Sequence, residues 1–323
     1  MHIRSLWGVF VCLAWSSVVF AADSRVHVTS SDTEVVVQVE NVDILKYVFR
    51  DPAVSRPYFA PVRTLSGIQV SRNHPPQSEI DKADHPGLHT GIWLSFGDLS
   101  GHDYWRLKAK TEHVRFVEPP AVSANIGRWT VLNRYLSTDG QQTVCEETAR
   151  YVVRPVAQGY LLELLSEFRA DEQEIVFGDQ EEMGLGIRLH TTLAVDQKQG
   201  GRILDSRGRR NGDEAWGQTA DWCDYSGPLD SHWVGMTVLS DKSNVRPSWS
   251  HARDYGFLAV NPFGRAAFTK GEPSRIVVKP GETLRLRFGV YVHESASEAD
   301  CPVAEIYQLF TDHTPTAAPS LSP

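Results

Sequence analysis

The chain has 323 residues and a formal net charge of −8, with 32 Lys and Arg against 40 Asp and Glu. Its basic residues are scattered and form no stripe of the kind that nucleic acid requires, so no nucleic-acid partner is expected. After an N-terminal apolar run, no segment is long and apolar enough to span a bilayer, which excludes a membrane span in the mature chain.

The N-terminus predicts export. Arg4 precedes an apolar run from Leu6 to Phe20 that is too short for a membrane span, and small residues follow at Ala21 and Ala22. We therefore expect a signal peptide over residues 1–22 and a mature protein that is periplasmic or secreted.

Short runs of β-branched and aromatic residues between turn residues predict strands along most of the chain. The predicted strands lie within Val26–Phe49 and at Thr143–Pro155, Gly159–Arg169, Leu185–Val195, Trp233–Ser240, Tyr255–Asn261 and Leu284–His293. Only Val303–Thr311 has the periodicity of a helix. These elements predict an all-β fold, a large antiparallel two-sheet sandwich with few short helices, as a single domain over 23–313. The segment 314–323, rich in Pro, Ser, Thr and Ala, is predicted to be disordered.

The last predicted strand has the clearest pattern. Lys279–Glu282 is a turn sequence, and the following Arg285 and Arg287 alternate with apolar residues, which predicts a strand with one solvated face. The mature chain keeps Cys145, Cys223 and Cys301, an odd number that permits one disulfide but does not form a disulfide framework.

Chemistry is expected in three polar, aromatic segments: Leu65–Asp103, Gly200–Gly227 and His251–Phe263. The stretch from Asp84 to Trp105 holds three histidines, His85, His89 and His102, and two tryptophans, Trp93 and Trp105, and indole faces suit the apolar face of a sugar ring. The alternative is that the tryptophans are core residues and the histidines cap turns. A metal at His85 and His89 is not predicted, because Pro86 and Gly87 argue against a helix that would align both rings.

In the segment Phe177–Arg188, the acidic residues Asp179, Glu181 and Glu182 enter a Gly-rich strand. Glu182 is a candidate base there, and Arg188 is a candidate clamp for a polar ligand. The alternative is a solvated acidic turn with an ion pair. The four catalytic candidates are His89, Glu182, Asp224 and His251. The ligand-binding candidates are Arg56, His85, Trp93, Asp103, Trp105, Arg188, Trp216, Trp222, Tyr225, Arg253 and Asn261.

Several motifs resemble a known family. They are Arg56-Pro57-Tyr58, Asp84-His85-Pro86, Gly97-Asp98, Glu182-Met183-Gly184, Ala215-Trp216-Gly217, Trp222-Cys223-Asp224, Arg253-Asp254-Tyr255-Gly256 and Asn261-Pro262-Phe263-Gly264. Their order resembles the PmoA-like family, labelled "methane oxygenase PmoA", from Val35 to His293. The resemblance implies an exported bacterial protein encoded near sugar enzymes. Methane oxygenase activity is not expected, because a membrane monooxygenase subunit needs transmembrane helices.

The turn at Lys279–Glu282 and the strand after it also resemble the end of galactose-mutarotase-type β-supersandwich domains. That resemblance implies a sugar site on a broad concave sheet, with Glu182 or Asp224 as the base and His89 or His251 as the acid. The His-Gly and Arg-Asn pattern of the mutarotases is not present in its familiar form.

These observations predict a carbohydrate-active protein that uses general acid/base catalysis, as a hydrolase, lyase or epimerase, on a small-molecule or oligosaccharide ligand. No cofactor is predicted. The alternatives are a carbohydrate-binding protein without catalysis and, third, a structural or interaction domain whose aromatic loops pack on a partner.

Overall fold

A computed structural model describes residues 26–313. In chain order the strands of this part are β1 Val26–Ser30, β2 Glu34–Val39, β3 Val42–Val48, β4 Tyr58–Val62, β5 Ile92–Phe96, β6 Thr111–Ser123, β7 Ile126–Leu136, β8 Thr143–Val156, β9 Gly159–Arg169, β10 Ile175–Phe177, β11 Met183–Arg188, β12 Arg202–Asp205, β13 Trp222–Leu229, β14 His232–Ser240, β15 Trp249–Arg253, β16 Phe257–Asn261, β17 Ile276–Val278 and β18 Thr283–Ser295. The helices are α1 Asn211–Ala215, α2 Arg265–Thr269 and α3 Val303–Asp312, and short 3-10 turns lie at Thr191–Leu193, Val195–Gln197 and Glu298–Asp300.

The strands form two large antiparallel sheets of eight strands each within the described residues. The first sheet has the order β1-β2-β3-β4-β5-β11-β16-β15, and the second has the order β12-β13-β14-β18-β9-β8-β7-β6. A small ladder pairs β10 with β17. The predicted all-β, two-sheet antiparallel sandwich is confirmed.

The core lies between the two sheets because side chains alternate across each strand. On β11 and β16, for example, Ile187 and Leu258 face this interior, together with Trp129, Tyr151 and Phe288 from the second sheet. The intervening residues of each strand point to the outer face of their own sheet. This alternation decides which polar side chains can meet.

α3 covers part of the outer face of the second sheet, where its apolar side packs on Leu161, Leu239 and Tyr291. The strand with the clearest sequence pattern is β18, and its launching turn is present, with Glu282 N donating to Lys279 O at 2.8 Å. The solvated face predicted for β18 is wrong at Arg287, which is 4% exposed and donates to Glu163 and to the C-terminal carbonyls of α3.

Cys145, Cys223 and Cys301 are all unpaired. None of the helices in residues 26–313 has the length and apolar character that a membrane crossing requires. The predicted signal peptide and C-terminal tail fall on residues outside the described part, and the domain boundaries stay a prediction.

Glu147 is a carboxyl group buried in the sandwich core. It accepts hydrogen bonds from Ser166 Oγ, Asn133 Nδ2 and Tyr135 Oη. Burial raises the pKa of Glu147, and these three hydrogen bonds offset only part of that rise. Because the folded-state pKa exceeds the unfolded value of about 4.3, this residue makes the protein less stable as pH rises through that interval.

We therefore expect Glu147→Gln to raise the unfolding free energy at neutral pH and to flatten its pH dependence, measured by urea unfolding from about pH 4 to about pH 8. The new amide has an acceptor available, since Asn133 Oδ1 has no hydrogen-bond partner within residues 26–313. Glu146→Gln, which changes a half-exposed carboxylate on the same strand, is the matched control. A Glu147→Gln protein that is less stable than the wild type at neutral pH would contradict this expectation.

Candidate functional site

A polar row crosses three neighbouring strands on the outer face of the first sheet. Phe257 of β16 stands in register with Arg188 of β11 on one side and Arg253 of β15 on the other. Because Ile187 and Leu258 point into the sandwich, the side chains of this row point outward. Two guanidinium groups therefore flank one aromatic ring on a rigid sheet.

Two histidines contact this central ring from different sides. His89 stacks on Phe257 with ring centroids 4.5 Å apart, and His251 meets Phe257 edge-on at 4.8 Å. Burial and the charge of Arg188 lower the pKa of His89, while burial and Arg253 lower the pKa of His251 to about 3. Both imidazoles are therefore neutral at neutral pH.

The arginines also fix which ring nitrogen carries the proton, since a guanidinium can only donate. Arg188 Nη1 lies 3.3 Å from His89 Nδ1, which must accept, so the His89 proton is on Nε2. Arg253 Nε donates to His251 Nε2 at 3.0 Å, so the His251 proton is on Nδ1, which is buried and has no hydrogen-bond partner in the described part of the chain. Within the described residues His89 Nε2 has no hydrogen-bond partner, so His89 is the imidazole that can offer an N–H to a ligand.

Two adjacent carboxylates, Glu181 and Glu182, border the row, each with a side chain that is 29% exposed. Glu181 Oε1 accepts from Trp216 Nε1 at 2.9 Å and from Arg253 Nη2 at 2.5 Å. It also lies 3.1 Å from His251 Nε2, a contact that is not an ion pair while the imidazole is neutral. Glu182 pairs with Arg106. Both carboxylates are thus oriented and reachable from solvent.

A surface groove of about 320 Å³ is bordered by the two residues that donate to Glu181. Trp216 and Arg253, the two residues that hold this carboxylate, line the groove together with Asp213 and Asp254. The Trp216 ring is partly exposed, and the Arg253 guanidinium lies 5.6 Å from its centroid. The groove thus combines an aromatic face with donors and acceptors, at the small end of the range for small-molecule sites.

Tyr255, at the tip of the β15–β16 hairpin, connects the two halves of the site. Arg188 lies 4.8 Å from its ring centroid. Burial raises the pKa of Tyr255 to about 12, against the lowering effect of Arg188 and Arg253, with smaller rises from Asp84 and Glu182. The Tyr255 phenol therefore stays protonated at neutral pH. The charges that shift its pKa lie both beside the histidines, at Asp84 and Arg188, and beside the carboxylates, at Arg253 and Glu182. The outer-face site is defined here as His85, His89, Arg106, Glu181, Glu182, Arg188, Trp216, His251, Arg253, Tyr255 and Phe257.

The loop that carries the histidines is held by buried charge. Arg72, 1% exposed, donates to the carbonyls of residues 82, 84, 85 and 89. Asp84 accepts from Arg188 at 2.6 Å and from Arg72 at 3.2 Å. This network sets the position of His89 against Arg188.

The structure brings together His85, His89, Glu182, Arg188, Trp216, His251 and Arg253 from the sequence-predicted set. His85 stacks on His89 with centroids 4.5 Å apart and has a half-exposed ring. Asp103 lies one step further out, where it accepts from Arg106 Nη1 at 3.1 Å and so orients the partner of Glu182.

Four predicted ligand-binding residues are buried parts of the scaffold, which corrects their expected role. Trp93 and Trp105 are each 1% exposed and pack over Gly186, where an added Cβ would lie 2.7 Å from the Trp93 ring. Arg56 donates to the carbonyls of Trp105 and Leu88. Asn261 donates to the carbonyls of Gln180 and Glu181 and so fixes the backbone of the acidic segment.

Three further predicted residues on β13 do not join the site. Asp224 is buried on the outer face of the second sheet, where it contacts His293 and Thr237, so the sandwich core separates it from His89. Trp222 also points to the outer face of the second sheet, where it packs beside α3. Tyr225 is a core residue whose hydroxyl bonds to the backbone of Val195, Asp254 and Gly256, so it supports the hairpin tip from inside.

Sequence reasoning missed Glu181, Arg106, Tyr255 and Phe257 as site residues, and it missed Arg72 as the residue that holds the histidine loop. Glu181 and Glu182 are equivalent in the sequence, and only the structure shows that each has its own arginine partner. Tyr255 lay inside a quoted motif and could have been chosen. Nothing in the sequence near Arg72 indicates that it crosses to the loop at 82–89.

Metal ligation is not favoured by this geometry. The His85 and His89 rings stack nearly parallel, at 12°, instead of converging on one point. Across residues 26–313 no three His, Cys, Asp or Glu side chains come together as a metal site requires.

A model of a protein family described as a family of unknown function, DUF6807, matches residues 34–306. The chain belongs to this family. No functionally curated protein matches this DUF6807 chain. No comparison supports the PmoA-like label, which stays a prediction from the quoted motifs.

Solved structures with a similar architecture include galactose mutarotase-like proteins. One from Lactobacillus casei ATCC 334 is 11% identical, with 83% of this DUF6807 chain and all of that chain covered and a TM-score of 0.40. One from Clostridium acetobutylicum is 9% identical, with 84% and 99% covered and a TM-score of 0.40. A galactose mutarotase related enzyme from Lactobacillus acidophilus is 12% identical, with 84% and 98% covered and a TM-score of 0.39. Because the sequence identities and TM-scores are this low, the structural similarity to these proteins carries no information about the activity of this chain.

Proposed function

We propose that this protein binds a sugar or glycoside at the outer-face site and acts on it by general acid/base catalysis. The observation that carries the proposal is the groove lined by Trp216, Arg253, Asp213 and Asp254, which combines an aromatic face, a guanidinium and two carboxylates. Trp216 and Arg253 also donate to Glu181. Sugars offer an apolar ring face and several hydroxyls, and such a surface matches both.

The acid/base roles follow from the protonation states. Glu182 or Glu181 is the base, because each carboxylate is oriented and reaches solvent. His89 supplies a neutral Nε2–H donor that polarises a ligand oxygen, since its Nδ1 faces Arg188. His251 accepts from Arg253 and so positions it, and the other ring nitrogen, Nδ1, is buried and out of reach of a ligand.

The second candidate is a carbohydrate-binding protein without catalysis. Arginine pairing of both Glu181 and Glu182 favours it, because carboxylates and guanidinium groups held in ion pairs can hydrogen-bond sugar hydroxyls without any proton transfer. The two functions differ in whether the bound sugar changes.

The test is a panel of mono- and oligosaccharides, uronates and 3-keto-glycosides, with binding and product formation followed by NMR. In the catalytic case we expect Glu182→Gln to reduce turnover of the responding sugar by at least about a hundredfold. Glu34→Gln, at a surface pair with Lys46, is the control and should behave like the wild type. Binding without product supports the second candidate, and no response to any sugar would overturn both.

We also propose that the chain is exported to the periplasm or the medium, as its N-terminal sequence predicts. Cell fractionation with N-terminal sequencing tests this, and an uncleaved protein confined to the cytoplasm would contradict it.

A further inference from the structure

A second cavity, of about 620 Å³, lies where the start of β6 faces the connection between β3 and β4. Phe49, Val54, Thr111 and His113 form its buried wall, and Arg50 and Lys110 stand at its exposed rim. None of the outer-face site residues lines it. It is therefore a separate space with its own chemistry.

His113 presents an unused hydrogen-bonding group in this wall. The residue is 6% exposed, and its ring packs against Phe49 with centroids 4.3 Å apart. Burial and the nearby Arg50 lower the pKa of His113 to about 4, so the imidazole is neutral at neutral pH. The Nδ1 atom of His113 is buried and has no hydrogen-bond partner in the described residues. Burying an unpaired N–H donor costs more free energy than burying an unpaired, unprotonated nitrogen. The proton therefore belongs on Nε2, which has no partner in residues 26–313 and is not sealed.

Arg50 supplies the unmatched charge. Its guanidinium lies 5.6 Å from the Phe49 centroid and donates one bond to Asp32 O, and it has no carboxylate partner in the described part of the chain. Lys110 pairs with Glu112, Asp51 accepts from the neutral Tyr58 Oη, and the Arg56 guanidinium, which also lines the cavity, donates to a backbone carbonyl. The lining therefore holds three cations, Arg50, Arg56 and Lys110, against two carboxylates, Asp51 and Glu112, which leaves one net positive charge beside the apolar wall.

We propose that this cavity binds a small monocarboxylate with an apolar or aromatic body. The carboxylate lies on Arg50 and accepts from His113 Nε2, and the body rests on Phe49 and Val54. A single unmatched cation suits one negative charge better than two, and the apolar wall gives an inorganic anion nothing to contact. This inference does not depend on the proposed sugar site.

The test is an NMR titration of the whole protein with benzoate and cyclohexanecarboxylate, with benzyl alcohol as the uncharged analogue and inorganic phosphate as the bare anion. We expect saturable binding of both acids that shifts the His113 ring signals, and no saturation by the alcohol or phosphate. Arg50→Gln should weaken binding about tenfold and His113→Phe several-fold, as loss of a charge-assisted hydrogen bond and of a neutral one predict.

The controls separate a binding effect from a folding effect. Arg50 is exposed, so Arg50→Gln keeps the fold and decides the question even if His113→Phe unfolds. Arg115→Gln, at an exposed residue of β6 outside the cavity, should bind the acids like the wild type. The proposal is overturned if neither acid saturates, if Arg50→Gln binds them unchanged, or if phosphate binds as tightly as benzoate.

Discussion

Replacing Arg72 with Met is expected to lower the unfolding free energy by about 3 to 5 kcal/mol. The guanidinium is almost fully buried and donates to four backbone carbonyls of the 82–89 loop. Met keeps much of the apolar volume but leaves those carbonyls unpaired and removes one of the two arginines that neutralise Asp84. Urea unfolding at neutral pH measures the loss.

Arg63→Met is the matched control, because Arg63 is only partly buried and makes one long bond, at 3.4 Å, to Asp43 O. Its effect should stay within about 0.5 kcal/mol. We also expect Arg72→Met to disturb the ring signals of His85 and His89 while those of His113 keep their positions. An Arg72→Met protein that unfolds at the wild-type urea concentration would show that the loop is held by other contacts.

The strands that sequence predicted best are those with long alternation and clear turns. Gly159–Arg169 is β9 residue for residue, and Thr143–Pro155 and Leu284–His293 fall within one or two residues of β8 and β18. Of the predicted strand Leu185–Val195 only residues 185–188 are strand, because the chain leaves the sheet after Arg188 and turns at Thr191–Leu193. Gly200–Gly227 looked like loop, since its strand β13 mixes Gly, Asp and Trp. The apolar signal of β13 is weak because Asp224 and Ser226 lie on its outer face, and on its inner face the core residues Cys223 and Tyr225 are followed by Gly227.

The sequence predicts the kinds of side chain in the site, histidines, arginines, carboxylates and aromatic rings, better than it predicts which residues of each kind belong to it. The motifs contain most of the residues that meet at Phe257, but they do not indicate to which side of the sheet each side chain points. Trp93 looked like a ligand platform because an indole has the right surface, and it is buried because Gly186 opposite leaves room for it. The solvated face of β18 was mispredicted at Arg287 for a related reason, since a helix distant in sequence covers that residue.

The buried polar residues show one physical rule. Arg56, Arg72 and Asn261 donate hydrogen bonds to backbone carbonyls and so fix loops. Few of their donor groups are therefore available to a ligand. His89, Arg253 and Glu182 keep part of their surface or one atom free. Sequence composition cannot distinguish these two uses, because both need the same side chains.

Replacing Asp224 with Asn is expected to lower the unfolding free energy by about 3 to 5 kcal/mol and to leave any response to sugars unchanged. Asp224 is 1% exposed, accepts from Thr237 Oγ1 at 2.8 Å and contacts His293 Nε2 at 2.9 Å, with Arg202 at 3.5 Å. An amide presents a donor where the site offers mainly donors, so part of this network is lost. Because Asp224 lies on the face opposite the outer-face site, the cost is confined to stability.

The acid side of this stability effect has a defined sign. Burial alone raises the pKa of Asp224, but His293, Arg202 and the hydrogen bond from Ser226 together lower it below its ordinary value. The stabilisation from the charged form is therefore complete above the unfolded pKa of about 3.9 and is lost as pH falls through the folded-state value. The difference in unfolding free energy between wild type and Asp224→Asn should accordingly be largest near neutral pH and shrink in acid. Asp221→Asn, at an exposed residue one step before β13, is the control with no such difference. A folded Asp224→Asn protein that has lost a sugar response seen in the wild type would place Asp224 in the binding machinery after all.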